Sequence, residues 1–202
     1  MPIRPYRDGD EVAVADIYRH YILHTSVTFE EAPLTPQAMR ERILGCVNAG
    51  HPWLVYEGDD SAVHGYAYAG PHHHRAAYRH TLESSIYLRH GQQGMGLGRA
   101  LYHALLDHLG QTTCHVVLGK IALPNPASVA LHHALGFKQV GHLHEAAGIE
   151  EHADRDEEEH GESVTHRNRV PCCARRELGP SHGQTGEEGP EGHGDAEHQG
   201  RA

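Results

Sequence analysis

Apolar residues recur at two spacings along the first three quarters of the chain, and the switching between them predicts the fold. After Asp10, the residues Val14, Ile17, Tyr18, Tyr21 and Ile22 keep the three-to-four-residue interval of a helix face and predict a helix ending near His24. Thr35 before Pro36 is a helix start, Met39, Ile43, Cys46 and Val47 supply one apolar face, and Asn48-Ala49-Gly50 is the stop. Trp53–Glu57 and residues 63–69 then read as antiparallel strands of a hairpin joined by Gly58-Asp59-Asp60-Ser61. A Pro/His loop over 70–80 leads to a strand at 82–88, a glycine-rich turn, and a helix with Leu97, Leu101 and Leu105 facing the core. A strand at 114–121, a helix over 126–135 capped by Asn125 and stopped by Gly136, and a strand at 137–143 complete the readable pattern. Two helices, a hairpin, and then strand, helix, strand, helix, strand predict an α/β fold with a mixed sheet and helices on its faces.

From residue 145 the periodicity vanishes, and composition explains why. The chain of 202 residues has a formal net charge of -10, yet residues 145–202 hold 15 of its 27 acids and only 6 of its 17 lysines and arginines. All twelve aromatic residues lie at or before Phe137. A segment so poor in apolar residues cannot bury enough surface to offset the entropy of ordering it. The expectation is one domain over residues 1–147 and a disordered acidic Gly/Glu/His-rich tail over 148–202.

The same counts narrow the function classes. No run of 18 apolar residues occurs and Met-Pro-Ile-Arg-Pro is no signal region, so a cytoplasmic protein without membrane contact is expected. Cys46, Cys114, Cys172 and Cys173 form no Cys-x-x-Cys pair, which fits a reducing compartment and argues against a zinc finger. A near-neutral body without a basic stripe argues against nucleic acid. His72-His73-His74 could chelate weakly but has no carboxylate or thiol at fixed spacing, so no metal is expected.

The strongest chemical signal is Gln93-Gly94-Met95-Gly96-Leu97-Gly98-Arg99 between a strand and a helix. Glycines let the backbone approach a ligand, and the first amides of the helix point the positive end of its dipole at an anion such as a pyrophosphate. Such a string also makes ordinary turns, so context decides. Gly98-Arg99-Ala100 lacks the Lys-Ser/Thr of a P-loop, and at least three strands come before it, whereas a dinucleotide fingerprint follows the first strand.

The chain resembles the GNAT superfamily of acetyl-CoA-dependent N-acetyltransferases, whose Gln/Arg-x-x-Gly-x-Gly/Ala loop is similar to Gln93-x-x-Gly96-x-Gly98. Within that superfamily it resembles the phosphinothricin and methionine-sulfoximine acetyltransferase branch. Similar motifs are Thr28-Phe29-Glu30, Trp53-Leu54-Val55, Gly65 to Pro71, Arg75-Ala76-Ala77-Tyr78, Thr81 to Leu88, Leu123-Pro124-Asn125, Ser128, and Leu131-His132 followed by Ala134-Leu135-Gly136-Phe137. The resemblance implies the GNAT fold, with a mixed, mostly antiparallel central sheet flanked by helices. It also implies direct acetyl transfer from acetyl-CoA to the amino group of a small amino-acid-like substrate.

Amide formation from a thioester needs a base for the ammonium proton, donors for the oxyanion and a proton for the thiolate. The resemblance assigns Glu83 as general base and His132 as a catalytic histidine, aimed along the sheet edge by its offset from the row Ala127, Leu131, Ala134, Leu135. It places the cofactor on Ile86, Tyr87, Leu88, Gln93, Gly94, Met95, Gly96, Leu97, Gly98, Arg99, Asn125 and Ser128. Phe29, Arg75 and Tyr78 are left for the substrate, a guanidinium being able to bind a carboxylate or phosphinate bidentately. The resemblance stops at Ala146-Ala147-Gly148, which predicts that the last sheet strand is missing and a homodimer weakened. A non-catalytic CoA-binding protein with an altered C-terminus is the other reading.

Overall fold

A computed structural model describes residues 3–143 and 171–178. Its elements are β1 (Ile3–Pro5), α1 (Asp10–His24), α2 (Pro36–Asn48), β2 (Trp53–Glu57), β3 (Val63–Pro71), a 3-10 turn (Ala76–Tyr78), β4 (Thr81–Leu88), α3 (Leu97–Leu109), β5 (Val116–Ala122), α4 (Pro126–Ala134), β6 (Lys138–His142) and β7 (Pro171–Glu177). They form one seven-stranded sheet in the order β1-β2-β3-β4-β5-β7-β6. Neighbours are antiparallel except β4 and β5, which run parallel. No helix among the described residues is long and apolar enough to cross a membrane.

The period-two alternation of the strands divides the core into two layers. Trp53, Val55 and Tyr66 pack with Val14, Ile17, Tyr18 and Ile22 of α1 and Met39 and Ile43 of α2. Leu54, Ala67, Ala69, Leu82 and Val117 point the other way, against Leu101, Leu105 and Leu109 of α3. Helix starts follow the capping chemistry of the sequence. Thr35 Oγ1 accepts from the Ala38 amide at 3.1 Å, and Asn125 Oδ1 accepts from the Ser128 amide at 3.1 Å. Val47, expected on the buried face of α2, is instead exposed, one turn past Ile43 where the helix leaves the sheet.

The expected loss of the last strand is corrected. Pro171–Glu177 lies between β5 and β6, registered from Ala122↔Pro171 to Val116↔Glu177, so the sheet draws a strand from beyond residue 147. Leu178 then enters the α3 layer, its amide donating to His115 O at 2.9 Å. A backbone ladder needs no apolar period from the strand that joins it, which is why a segment without strand alternation can serve. The disorder expected of residues 148–170 and 179–202 lies outside the described residues.

Candidate functional site

β4 and β5 pair only from Thr81↔Val116 to Ser84↔Gly119, although β4 continues to Leu88 and β5 to Ala122. The two strands therefore splay, and Glu83 stands at the apex. Leu82 and Ser84 are buried on the α3 side, so alternation turns Glu83 to the α1/α2 side. Gly119 faces α4, so the next residue, Lys120, shares the face of Glu83. Lys120 Nζ lies 2.8 Å from Glu83 Oε2, and His72 Nδ1 lies 3.5 Å from the same oxygen. Gly70 is the β3 partner of Glu83, and a Cβ built there meets nothing within 4 Å. There is room beside the carboxylate.

Beyond Leu88 the chain turns through glycines and enters α3 at Gly96, whose φ of +81° is the left-handed conformation that glycine adopts without strain. No side chain caps α3 and no acid occupies its first turn. Its first amides have no partner within the helix and its dipole is uncompensated, a start that suits an anion. Gln93 serves the turn itself, its Oε1 accepting from the Gly91 amide at 2.9 Å. Met95 and Arg99 are exposed, whereas Leu97 and Gly98 are buried. A Cβ at Gly98 would lie 3.5 Å from Leu88 and 3.6 Å from Leu131, an ordinary contact that marks where α3 passes β4 and α4. Of the β4 backbone assigned to the cofactor, Leu88 is held by Tyr21 of α1. The phenol donates to Leu88 O at 2.7 Å and accepts from its amide at 3.3 Å.

His132 is the one α4 residue that is buried, at 5% exposure, while Ala127 and Ala134 of the expected apolar row are exposed. It points into the core on the opposite face of the sheet from Glu83, not along the sheet edge. Its Nδ1–H donates to Ser128 O at 2.8 Å, and its Nε2 lies 3.2 Å from Tyr102 Oη. Tyr102 Oη is 2.5 Å from Ser84 Oγ, which donates to Leu118 O at 3.1 Å. A hydrogen-bonded chain thus ties α4 and α3 to β4 and β5. A Cβ at Gly119 would come within 2.7 Å of His132 Nε2, so that glycine makes the space the imidazole fills. Burial pushes His132 below the ordinary imidazole value, with the Ser128 carbonyl pulling the other way, and pushes the Tyr102 phenol up.

The expected substrate residues lie on two exposed segments. Phe29 is 46% exposed, beside Thr28, which is buried and lies 2.5 Å from the Tyr18 phenol. Tyr78 is 44% exposed and its ring lies 5.9 Å from that of His72, so one histidine separates it from Glu83. Arg75 opens the 3-10 turn, its amide donating to His73 Nδ1 at 3.1 Å. Among the described residues no group of three His, Cys, Asp or Glu could hold a metal ion. Lys120 was marked by no sequence signal, because only the parallel register of β4 and β5 brings it beside Glu83, and of His72 the sequence showed only the His72-His73-His74 run.

Comparison with known proteins places this geometry. Residues 14–137 match the acetyltransferase (GNAT) family. The chain is 42% identical over 146 residues to phosphinothricin N-acetyltransferase of Streptomyces viridochromogenes, covering 72% of this chain and 79% of that one. It is 34% identical to the L-methionine sulfoximine/L-methionine sulfone acetyltransferase of Salmonella typhimurium, covering 68% and 80%. Its fold is similar to that of a GNAT superfamily phosphinothricin acetyltransferase from Sinorhizobium meliloti in complex with acetyl-CoA, with a TM-score of 0.77, 29% identity, and 93% and 94% of the two chains covered.

Proposed function

Because the chain belongs to the GNAT acetyltransferase family, we propose that it transfers acetyl from acetyl-CoA to the amino group of a small amino-acid-like acceptor of the phosphinothricin or methionine sulfoximine type. The observation that carries this reading is Glu83, a part-exposed carboxylate at the splay apex with open space beside Gly70. Acetyl-CoA supplies the activated acetyl thioester. The uncapped amides of the Gln93–Arg99 turn would hold its phosphates, the β4 backbone around Ile86 its pantetheine arm, and Asn125 and Ser128 at the α4 start the far side of that arm. An uncapped helix start with no acid in its first turn suits such an anionic group.

Glu83 takes a proton from the acceptor's ammonium, directly or through water; the freed amine attacks the thioester carbon, the carbon–sulfur bond breaks, and CoA leaves as a thiol with the second proton released by the new amide nitrogen. Phe29, Arg75 and Tyr78 border the acceptor. His132, buried behind the sheet, is a positioning residue that holds α4 against β5. Transfer is direct, because Cys46 makes a poor acyl carrier. Burial pushes its thiol up to about 11, and Sγ donates to Ala69 O at 3.2 Å.

Free-thiol release from acetyl-CoA across a panel of amino acids tests the reading. Glu83→Gln should lower kcat about a hundredfold or more while leaving acetyl-CoA affinity within about twofold. An unchanged rate would remove Glu83 as the base, and CoA binding without thiol release from any acceptor would favour a non-catalytic protein.

A further inference from the structure

Glu83 does not stand alone at the apex. Lys120 Nζ is 2.8 Å from Glu83 Oε2, with the lysine side chain 40% exposed and the carboxylate 29% exposed. The third group on that oxygen is His72, at 3.5 Å. Lys120 is the first β5 residue past the last β4–β5 pair, Ser84↔Gly119. An acceptor amine that gives its proton to Glu83 must therefore arrive beside a second cation.

A plain amine arrives as an ammonium, and two ammonium groups would then share one carboxylate oxygen, an arrangement that repels. An α-amino acid brings its own carboxylate on the carbon that bears the amine. That carboxylate can take the lysine ammonium while the amine takes Glu83, so one ion pair becomes two and no cation is left facing another. The pair reads a zwitterion by attraction and turns away a bare amine by repulsion.

We propose that Lys120 is a specificity-determining residue that binds the α-carboxylate of the acceptor and keeps amines lacking one from Glu83. This rests on Glu83 as the base of acetyl transfer. Lys120→Met keeps the apolar stem of the side chain on an exposed position, so folding is not at stake.

The test compares kcat/KM for L-methionine sulfone and for its methyl ester, by thiol release, in the wild type, Lys120→Met and Lys120→Arg. The wild type should prefer the free acid by at least about tenfold, the value of one charge-assisted hydrogen bond. Lys120→Met should lose that preference by falling on the acid and rising on the ester, with KM for acetyl-CoA unchanged, and Lys120→Arg should keep it. Equal preference in wild type and Lys120→Met overturns the proposal while leaving Glu83 standing. So does acetylation of Lys120 itself by acetyl-CoA alone, which would make it an acceptor and not an anchor. A wild type that releases no thiol with any acceptor overturns the Glu83 reading and this one together.

Discussion

Two helices of this protein begin in the same way and end up with opposite electrostatics. α1 follows Gly9 at φ +104° and α3 follows Gly96 at φ +81°, and neither has a side-chain cap. At α1 the chain answers its own dipole. Asp10 and Glu11 fill the first turn, Glu11 accepts from the Gly9 amide at 2.8 Å, and Asp10 accepts from the Arg7 amide at 2.8 Å. Burial opposes the charge on Asp10, but Arg4 and the Arg7 amide hold its carboxyl below the usual carboxylate range. Arg4 also pairs with Glu57 and so ties α1 to β2. At α3 no acid and no cap occupy the start, and the positive end is left for something the chain does not supply. The same left-handed glycine start is thus answered from within the chain at α1 and left open at α3, where we propose that the phosphates of acetyl-CoA bind.

The contrast can be broken from the α1 side first. Arg4→Ala leaves Asp10 and Glu57 part-buried without their cation and should cost about 3 kcal/mol in denaturant unfolding, with acetyl-CoA affinity unchanged. Loss of binding without loss of stability would show that the two helix starts are not separate in function. Giving α3 the solution of α1 is the reciprocal experiment. Met95→Asp, at an exposed site beside Gly96, should weaken acetyl-CoA binding about tenfold by calorimetry while raising stability by ~0.5 kcal/mol. Opposite signs in one variant are what the comparison demands, and tighter binding would refute it.

α4 offers the smallest and sharpest effect. Its start is capped by Asn125, and its far end is held by His132, which burial keeps neutral with a lowered pKa. The unfolded chain takes up a proton on this histidine near its ordinary value of about 6.5, where the folded protein does not. Stability therefore falls as pH drops below about 6.5, by at most ~1.4 kcal/mol per pH unit from this group. His132→Gln keeps a donor and an acceptor, and should flatten that slope in urea titrations between about pH 5 and 6.5. An unchanged slope would move the effect to another group, such as His20, whose pKa is also lowered by burial and by its neighbours His90 and His24.

What could be read in advance follows the same logic of who supplies the partner. α2 and α4 announce themselves because Thr35, Asn125 and their following prolines carry the capping chemistry locally. The glycine turn before α3 is legible for the same reason. β1 has three residues and ends on proline, too short for any period, and β7 runs Pro-Cys-Cys-Ala and then Arg-Arg-Glu with no alternation, so only the ladder beside it reveals it. Lys120 and Glu83 are 37 positions apart and meet through a parallel register that no local pattern encodes. His132 was placed one step off the apolar row of α4, but the alanines of that row present little surface to bury, and the polar chain through Tyr102 to Ser84 decides which face turns inward.

The seat of β7 also sets an order of assembly. β5 and β6 do not touch each other; each is joined through a strand that follows them both in the chain, and Val116 waits for Glu177. On a ribosome, both strands emerge with an open edge and keep it until residues 171–177 arrive. Completion of the sheet is thus the last and most distant strand pairing among the described residues, a slow step by contact order and the interval in which a growing chain is most exposed to wrong partners. A messenger cut short between the codons for residues 143 and 171 would yield a protein with every candidate site residue and an unfinished sheet.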